Sequence, residues 1–390
     1  MTVWAAAAPS QKSGVNFAAI LCRTAVHGGN RYVVGGEVAI RALSPQIAEL
    51  LKRTGQAEDV TLAPEYFLER NELRGVPWVV LIHEGGQIAA VLYGRERRVL
   101  GMRTGMVQFG DYYGDCAVIA RQDFKATAVA EAALKVLELP QIHSVRASYK
   151  VSDQNDSAAI HCVLERTEIQ ARMLPEMVQH ILPLKNTFDA FLNTLGSHTR
   201  RNLRVYRRRV EQKGWKFVPR LGPAEMTTAL QALEKQQGKH KSSAHYLNCC
   251  QAALKAVPAS FHAGICTGTG EWVSLASGWL RNDRYFMLLQ LNDGRYVRDS
   301  ISTVMRSYLI ENLIASGTKS IDFVCGCSEL LRQFCTPQLC AHYLFEKRSA
   351  LNMARQFIAP RFFKTSMLNR ITQAGQETRN QLQTSETLTR

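Results

Sequence analysis

The sequence predicts an α/β (α+β) protein built from two successive units, each a mixed central sheet flanked by helices. Three observations support that expectation. One order of elements occurs twice: helices, a glycine-turned hairpin, a further strand, a long helix and a closing strand. The hairpin glycines Gly86 and Gly270 lie 184 residues apart, and the closing strands near His143 and Lys319 lie 176 apart, which fits a duplicated unit. Charge also divides by halves. Residues 1–180 carry 19 basic and 19 acidic side chains, whereas 181–390 carry 29 and 14, and so hold the whole formal net charge of +15. Finally, 390 residues at 46% hydrophobic content suffice for two ordinary cores.

Residues 1–35 are small and polar with scattered glycines, and read as a flexible N-terminal arm. The first unit is assigned to 36–180. A strand-like run, Glu37 to Ala42, leads into a helix from Ser44 to Arg53, and a second helix runs from Ala63 to Leu73. Trp78 to His83 and Gln87 to Tyr93 are strands joined at Glu84-Gly85-Gly86, where glycine supplies the positive φ of a tight turn. Arg97 to Thr104 is a further strand. The loop from Phe109 to Asp115 precedes a helix from Phe124 to Leu139, in which Val129, Ala133, Val136 and Leu137 recur at helical spacing. His143 to Tyr149 is the closing strand.

The second unit is assigned to 181–365. Its helices are His198 to Gly214 and Ala224 to Gln237, and its strands are Ser260 to Cys266, Glu271 to Leu280 and Arg284 to Leu291. A helix from Ser302 to Ala315 packs with Val304, Tyr308, Leu309 and Leu313. It ends with Gly317 at C′, and strand Ser320 to Val324 follows. The mixed stretch His342 to Lys364 is expected to close this unit. Residues 366–390 are polar, lack aromatics and read as a disordered tail.

The stretch His198 to Gly214 holds six arginines and one lysine against a single carboxylate, Glu211. On a helix, Arg200, Arg201, Arg204, Arg207 and Arg208 share one face, and Leu203, Tyr206 and Val210 share another. Clustered guanidinium groups repel one another, so the pattern points to a polyanion: nucleic acid, acidic lipid or a phosphorylated cofactor. A solvated helix rich in arginine is the plainer alternative.

The ten cysteines form no CxxC pair, and Cys325 and Cys327 lack a second ligand pair at zinc-finger spacing, so no metal is expected. A thiol-rich chain without a secretory signal reads as cytoplasmic. No apolar run approaches the roughly 20 residues of a membrane span. The P-loop, GxGxxG, HExxH and GxSxG signatures are absent, which removes the commonest NTPase, dehydrogenase, zinc-protease and hydrolase patterns.

Two stretches carry a family resemblance. Phe191-Leu192, then Arg200-Arg201-Asn202-Leu203-Arg204 and Gly214, are followed downstream by a hairpin, a long helix ending at Gly317, and Ile321-Asp322-Phe323-Val324-Cys325-Gly326. Together they resemble the "FL … RRNLRR … G" entry and the "DF..G" strand of the CelD/BcsL-type acetyltransferase domain (BioF-like), a branch of the GNAT superfamily related to the FemABX transferases. The resemblance covers residues 185–337, and more weakly 60–180. The chain departs from the pattern at two places. Asp299-Ser300-Ile301-Ser302-Thr303 stands where a Ser-Pro-Gly-like step is usual, and Leu330-Leu331 where a Tyr-Lys pair is usual.

The resemblance implies tandem GNAT-like domains, the first degenerate, and transfer of an acyl group, in the first instance acetyl, from acetyl-CoA to an amine or hydroxyl of a small molecule or polysaccharide precursor. A GNAT fold holds the donor pyrophosphate at a helix N-terminus, where free N–H groups and the dipole favour anions. In this chain Arg295, Arg298, Ser300, Ser302 and Thr303 occupy that place. Transfer also needs a proton acceptor and oxyanion donors. Asp322 is a candidate base or orienting group, with a structural pairing to Arg332 or Lys319 as the alternative. Tyr285 and Tyr296 are candidates to protonate the leaving thiolate, or packing residues of the strand. Candidates for the acceptor site are Arg200, Arg204, Arg208 and His240, with Asp111 and Tyr113 of the first unit's acidic-aromatic loop. FemABX kinship implies a second reading, aminoacyl transfer from tRNA with RNA phosphates on the arginine helix. A non-catalytic module binding nucleic acid or an anionic surface is the third.

Overall fold

The computed structural model describes residues 24–26, 29–71, 75–99, 102–110, 118–150, 156–165, 167–174, 177–237, 242–257, 259–324, 327 and 329–347. These fall into two compact units, one within 1–64, 73–178 and 339–390 and one within 65–72 and 179–338.

The chain begins with strands β1 (Thr24–Val26) and β2 (Gly29–Gly35), followed by helices α1 (Glu37–Ala42), α2 (Ser44–Arg53) and α3 (Pro64–Glu69). Then come β3 (Val76–Glu84), β4 (Gln87–Val99), β5 (Met102–Phe109), β6 (Val118–Ile119), α4 (Lys125–Leu137), β7 (Ser144–Lys150), α5 (Asp156–Leu164) and β8 (Ile169–Met173). Residues 29–35, expected in a loose arm, form a strand because Tyr32-Val33-Val34 pairs with Leu81-Val80-Val79 and buries both valines. Residues 37–42 are helical, not extended. Ile40 is buried while Val38 is exposed, and Arg41 Nη2 bridges to Glu37 Oε1 at 2.8 Å across one helical turn. Gly94 does not interrupt β4; it lets the Phe109 ring lie on the backbone, where a Cβ would come within 2.8 Å of Phe109 Cδ1. α4 is buried nearly throughout, and its Glu131 pairs with buried Arg31.

The second unit comprises β9 (Met177–Pro183), α6 (Phe188–Thr194), α7 (Ser197–Gln212), β10 (Lys216–Val218), α8 (Pro223–Gln236) and α9 (Ala244–Ala256). β11 (Ser260–Cys266), β12 (Trp272–Arg281), β13 (Arg284–Asn292), α10 (Ile301–Ala315), β14 (Ser320–Asp322) and α11 (Glu329–Arg332) complete it. α9 is not anticipated from the sequence. Cys249 and Cys250 replace obvious apolar residues on its buried face, beside Leu247, Ala253 and Leu254, and Ser243 caps it by accepting from the Tyr246 amide at 3.2 Å. The last strand, β15 (Thr336–Lys347), pairs antiparallel with β7 from Cys340 to Glu346 and also with β8. The stretch beginning near His342, expected to close the second unit, therefore completes the first.

The duplication is visible in the pairing. In the first unit β3, β4 and β5 are antiparallel neighbours, and β5 is joined through α4 to its parallel partner β7. In the second, β11, β12 and β13 repeat the meander, and β13 is joined through α10 to its parallel partner β14. An antiparallel strand lies beyond each parallel pair, β15 next to β7 and β9 next to β14. The parallel pairs differ in one respect. β5 stays paired to β7 up to its last residue, Phe109. β13 pairs with β14 only over Arg284–Phe286, then runs six residues further, to Asn292, after β14 has ended at Asp322. The two strands of the second unit thus part after Phe286 and Asp322.

Candidate active site

The splay is furnished by three elements. β13 carries a bulge opposite Ser277/Gly278, where the absence of a Gly278 side chain lets the Phe286 carbonyl come up against the backbone. Beyond it, Gln290 and Asn292 are locked in a network. Asn292 Oδ1 accepts from Ser274 Oγ at 2.8 Å and Gln290 Nε2 at 3.3 Å, while Gln290 Nε2 also reaches the Ser302 carbonyl at 3.1 Å. Gln290 Oε1 accepts from Arg306 Nε at 2.7 Å. β13 is followed by a short 3₁₀ turn, Gly294–Asp299, and then α10.

The α10 entry keeps a glycine-like geometry without glycine. Ser300 adopts φ 53° and ψ 36°, a left-handed conformation, and so turns the chain sharply into the helix. Its carbonyl accepts the amides of Thr303 and Val304, while those of Ile301 and Ser302 make no hydrogen bond among the described residues. Two open amides at the positive end of a 15-residue helix form an anion-receiving end. Arg298, two residues before Ser300, is exposed and makes no ion pair among the described residues. Arg295 is committed elsewhere, donating to Asp293 Oδ2 from Nη2 at 2.7 Å and from Nε at 2.9 Å.

α7 lies against α10. Leu203 and Val210 are buried, and Arg207 turns inward from the basic face. Its Nη2 donates to Glu311 Oε2 at 2.5 Å, and its guanidinium stacks over Tyr308 at 4.2 Å and Phe188 at 5.1 Å. Tyr308 in turn donates to Glu211 Oε1 at 2.8 Å. Arg207 is a docking residue because its position on the helix borders the apolar stripe. Arg200 donates to Asn193 Oδ1 at 2.9 Å, whereas Arg201, Arg204 and Arg208 stay exposed.

Between α6, α7 and α10 lies a cleft of about 360 Å³, with Ser300 and Thr303 at the α10 entry. Its walls are Phe191, Leu195, Leu203, Ile310 and Leu331, and its polar groups include His198, Thr199, Asn202, Tyr206 and Arg306. His198 Nδ1 and Asn202 Nδ2 are 3.2 Å apart, which leaves the other imidazole nitrogen for a ligand.

Of the residues singled out in the sequence, the structure brings Ser300 and Thr303 into the cleft, with Ser302 beside them on the Gln290 network. Asp322 is buried at the end of β14, where the strands part. Tyr285 is fully buried, with its hydroxyl on the Phe261 carbonyl at 3.4 Å, and burial pushes its pKa upward, so it has no access to a leaving group. Tyr296 packs edge-on against Trp215 at 4.7 Å, outside the cleft. Asp111, Tyr113 and His240 lie outside the described residues, as do the 366–390 tail and most of the proposed arm. His198, Asn202, Tyr206, Gln290 and Arg306, which line or brace the cleft, are not among the site residues expected from the sequence. Arg306 left a signal, as the single charge in an otherwise uncharged first half of α10.

A family model described as an acetyltransferase (GNAT) domain matches residues 197–329, which includes α7, the meander, α10 and β14. The fold is GNAT-like, in tandem. No curated protein matches the chain. A solved structure of a conserved protein of unknown function from Bacteroides thetaiotaomicron is 11% identical with a TM-score of 0.52, covering 80% of this chain and 99% of that one. FemX is 10% identical at a TM-score of 0.49, covering 75% and 93%. A tandem GNAT protein from the clavulanic acid biosynthesis pathway is 10% identical at 0.47, covering 82% and 99%. At such identity the first of these likenesses speaks to fold alone.

Among the described residues no group of three or more His, Cys, Asp or Glu side chains is placed to hold a metal, and no helix is long and apolar enough to cross a membrane.

Proposed function

We propose that the chain is a cytoplasmic acyl-CoA-dependent N- or O-acyltransferase of the CelD/BcsL type. The unit within 65–72 and 179–338 acts as the donor-binding unit, and the unit that β15 completes acts as a degenerate partner. The observation that carries this reading is the parting of β13 from β14 beside the open end of α10, with no counterpart among the described residues of β5 and β7. The amides of Ile301 and Ser302, the hydroxyls of Ser300 and Thr303, and Arg298 fit a donor pyrophosphate. A bound acyl-CoA supplies the activated thioester. The chain's own residues orient an amine or hydroxyl acceptor in the cleft, where His198, whose Nδ1 accepts from Asn202 Nδ2, presents its Nε2–H as a hydrogen-bond donor. Asp322 sits buried at the base of the splay as an orienting carboxylate. Acetyl-CoA should raise the melting temperature of the wild type, and Arg298→Glu should abolish most of that shift. An equal shift in the variant would remove Arg298 from the site, and no shift in the wild type would sink the donor assignment.

A second reading rests on the exposed guanidinium groups of Arg201, Arg204 and Arg208. In it the donor is an aminoacyl-tRNA whose phosphates lie along α7, and binding weakens steeply with salt. Titration with tRNA at two salt concentrations, alongside the acetyl-CoA measurement, separates the two.

A further inference from the structure

We propose that the cleft between α6, α7 and α10 binds an organic anion with an apolar body, and that Arg306 reads its carboxylate. The inference builds on the transferase reading by naming the acceptor class.

Arg306 sits on the second turn of α10, and its partner differs from those of Arg207 and Arg295. Arg207 is matched by Glu311 and Arg295 by Asp293. Arg306 has a neutral partner, the Gln290 amide oxygen, and no carboxylate pairs with it among the described residues. Burial lowers its pKa from the ordinary guanidinium value, with Cys327 the one neighbour acting to raise it. A desolvated cation without an opposite charge is costly, and an anionic ligand removes that cost. The hydrogen-bond geometry leaves it ready for one. Gln290, itself fixed by Asn292 and Ser302, occupies Nε, so the terminal nitrogens of the fork are available to a carboxylate in the cleft that Arg306 lines.

The rest of the cleft fits one modest organic molecule. Its volume of about 360 Å³ is at the small end for ligand sites. The five apolar wall residues surround the body of the ligand, while His198 and Asn202 offer hydrogen bonds to a second polar group. The anion is not the donor pyrophosphate. Five residues separate Ile301 from Arg306, about 8 Å along the helix axis, so the open amides and this guanidinium engage different groups.

Calorimetric titration of the full chain with phenylbutanoate, phenylbutanamide and phenethyl phosphate tests the proposal. The carboxylate should bind saturably, roughly tenfold or more tighter than the amide, because a charge-assisted bond to a half-buried guanidinium is lost in the neutral compound. Arg306→Gln should erase that preference and Arg306→Lys should keep part of it, with matched melting curves showing that both variants fold. Phosphate binding tighter than carboxylate, with the same dependence on Arg306, would reassign the anion and overturn the carboxylate. Equal binding of acid and amide, no saturable binding, or undiminished acid preference in Arg306→Gln would overturn the site. Coenzyme A separates this proposal from the donor reading. It should bind wild type and Arg306→Gln alike without displacing phenylbutanoate. Displacement, together with loss of coenzyme A affinity in Arg306→Gln, would place Arg306 in the donor site instead. Carboxylate binding with no coenzyme A binding would leave this site standing and the donor reading refuted.

Discussion

Ser300 shows how a single residue holds the entry to α10. A non-glycine residue in the left-handed region costs about 1–2 kcal/mol, and the surrounding turn maintains it. Ser300→Gly should therefore raise the melting temperature by about 2–4 °C in a unit of this size, as read by calorimetry. The arginines of α7 divide by the same kind of local reasoning. Arg207→Met removes the bridge to Glu311 and the stack on Tyr308 and should cost about 1–2 kcal/mol in chemical denaturation, given its partial exposure. Arg208→Met, on the exposed face, should change stability by less than about 0.5 kcal/mol. His262 adds a pH dependence. Burial lowers its pKa from 6.5 to about 4, so it is neutral in the fold. The unfolded chain takes up the proton first on acidification. The stability linked to this group is complete above pH 6.5 and declines as pH falls toward 4. His262→Leu should show a shallower fall in melting temperature over that interval, although His342, also lowered to about 4, keeps part of it.

At the scale of elements, legibility followed the pattern of burial. The second unit's meander strands, α4, α7 and α10 are readable because each alternates or repeats apolar residues on one face, whereas Arg97 to Thr104, read as one strand, is divided between the end of β4 and the start of β5, where Arg98 pairs with Arg103. α1 was misread because six residues are too few to separate periods of two and 3.6, and α9 was missed because cysteines fill its buried face. The parting of β13 and β14 was not legible at all, since strand pairing is a long-range property that no local spacing encodes. The cleft was half legible. Its serine and threonine at the α10 entry follow from their place after β13, whereas His198, Asn202 and Arg306 come together only when α7 packs on α10. The bulge in β13 gives a test at this scale. A side chain at position 278 would collide with the Phe286 carbonyl, so Gly278→Ala should destabilise the protein by about 1–3 kcal/mol and weaken any coenzyme A binding in step.

For the molecule as a whole, duplication supplied two parallel strand pairs, and only the second has been opened. In the first unit, β5 and β7 remain joined to the end of β5, and a nearly fully buried α4 fills the space behind them. In the second, β13 outruns β14, α10 presents free amides, and a cleft lies at its entry. On the proposed reading donor binding falls to the second unit and scaffolding to the first, and the basic excess of the second half suits a phosphorylated ligand there. Hydrogen exchange with and without coenzyme A tests this most directly. Amide protection should increase over Met287–Asn292 and Ser300–Arg306, with Met102–Phe109 and Ala126–Val129 unchanged. Protection confined to the first unit, or none in either, would contradict the account.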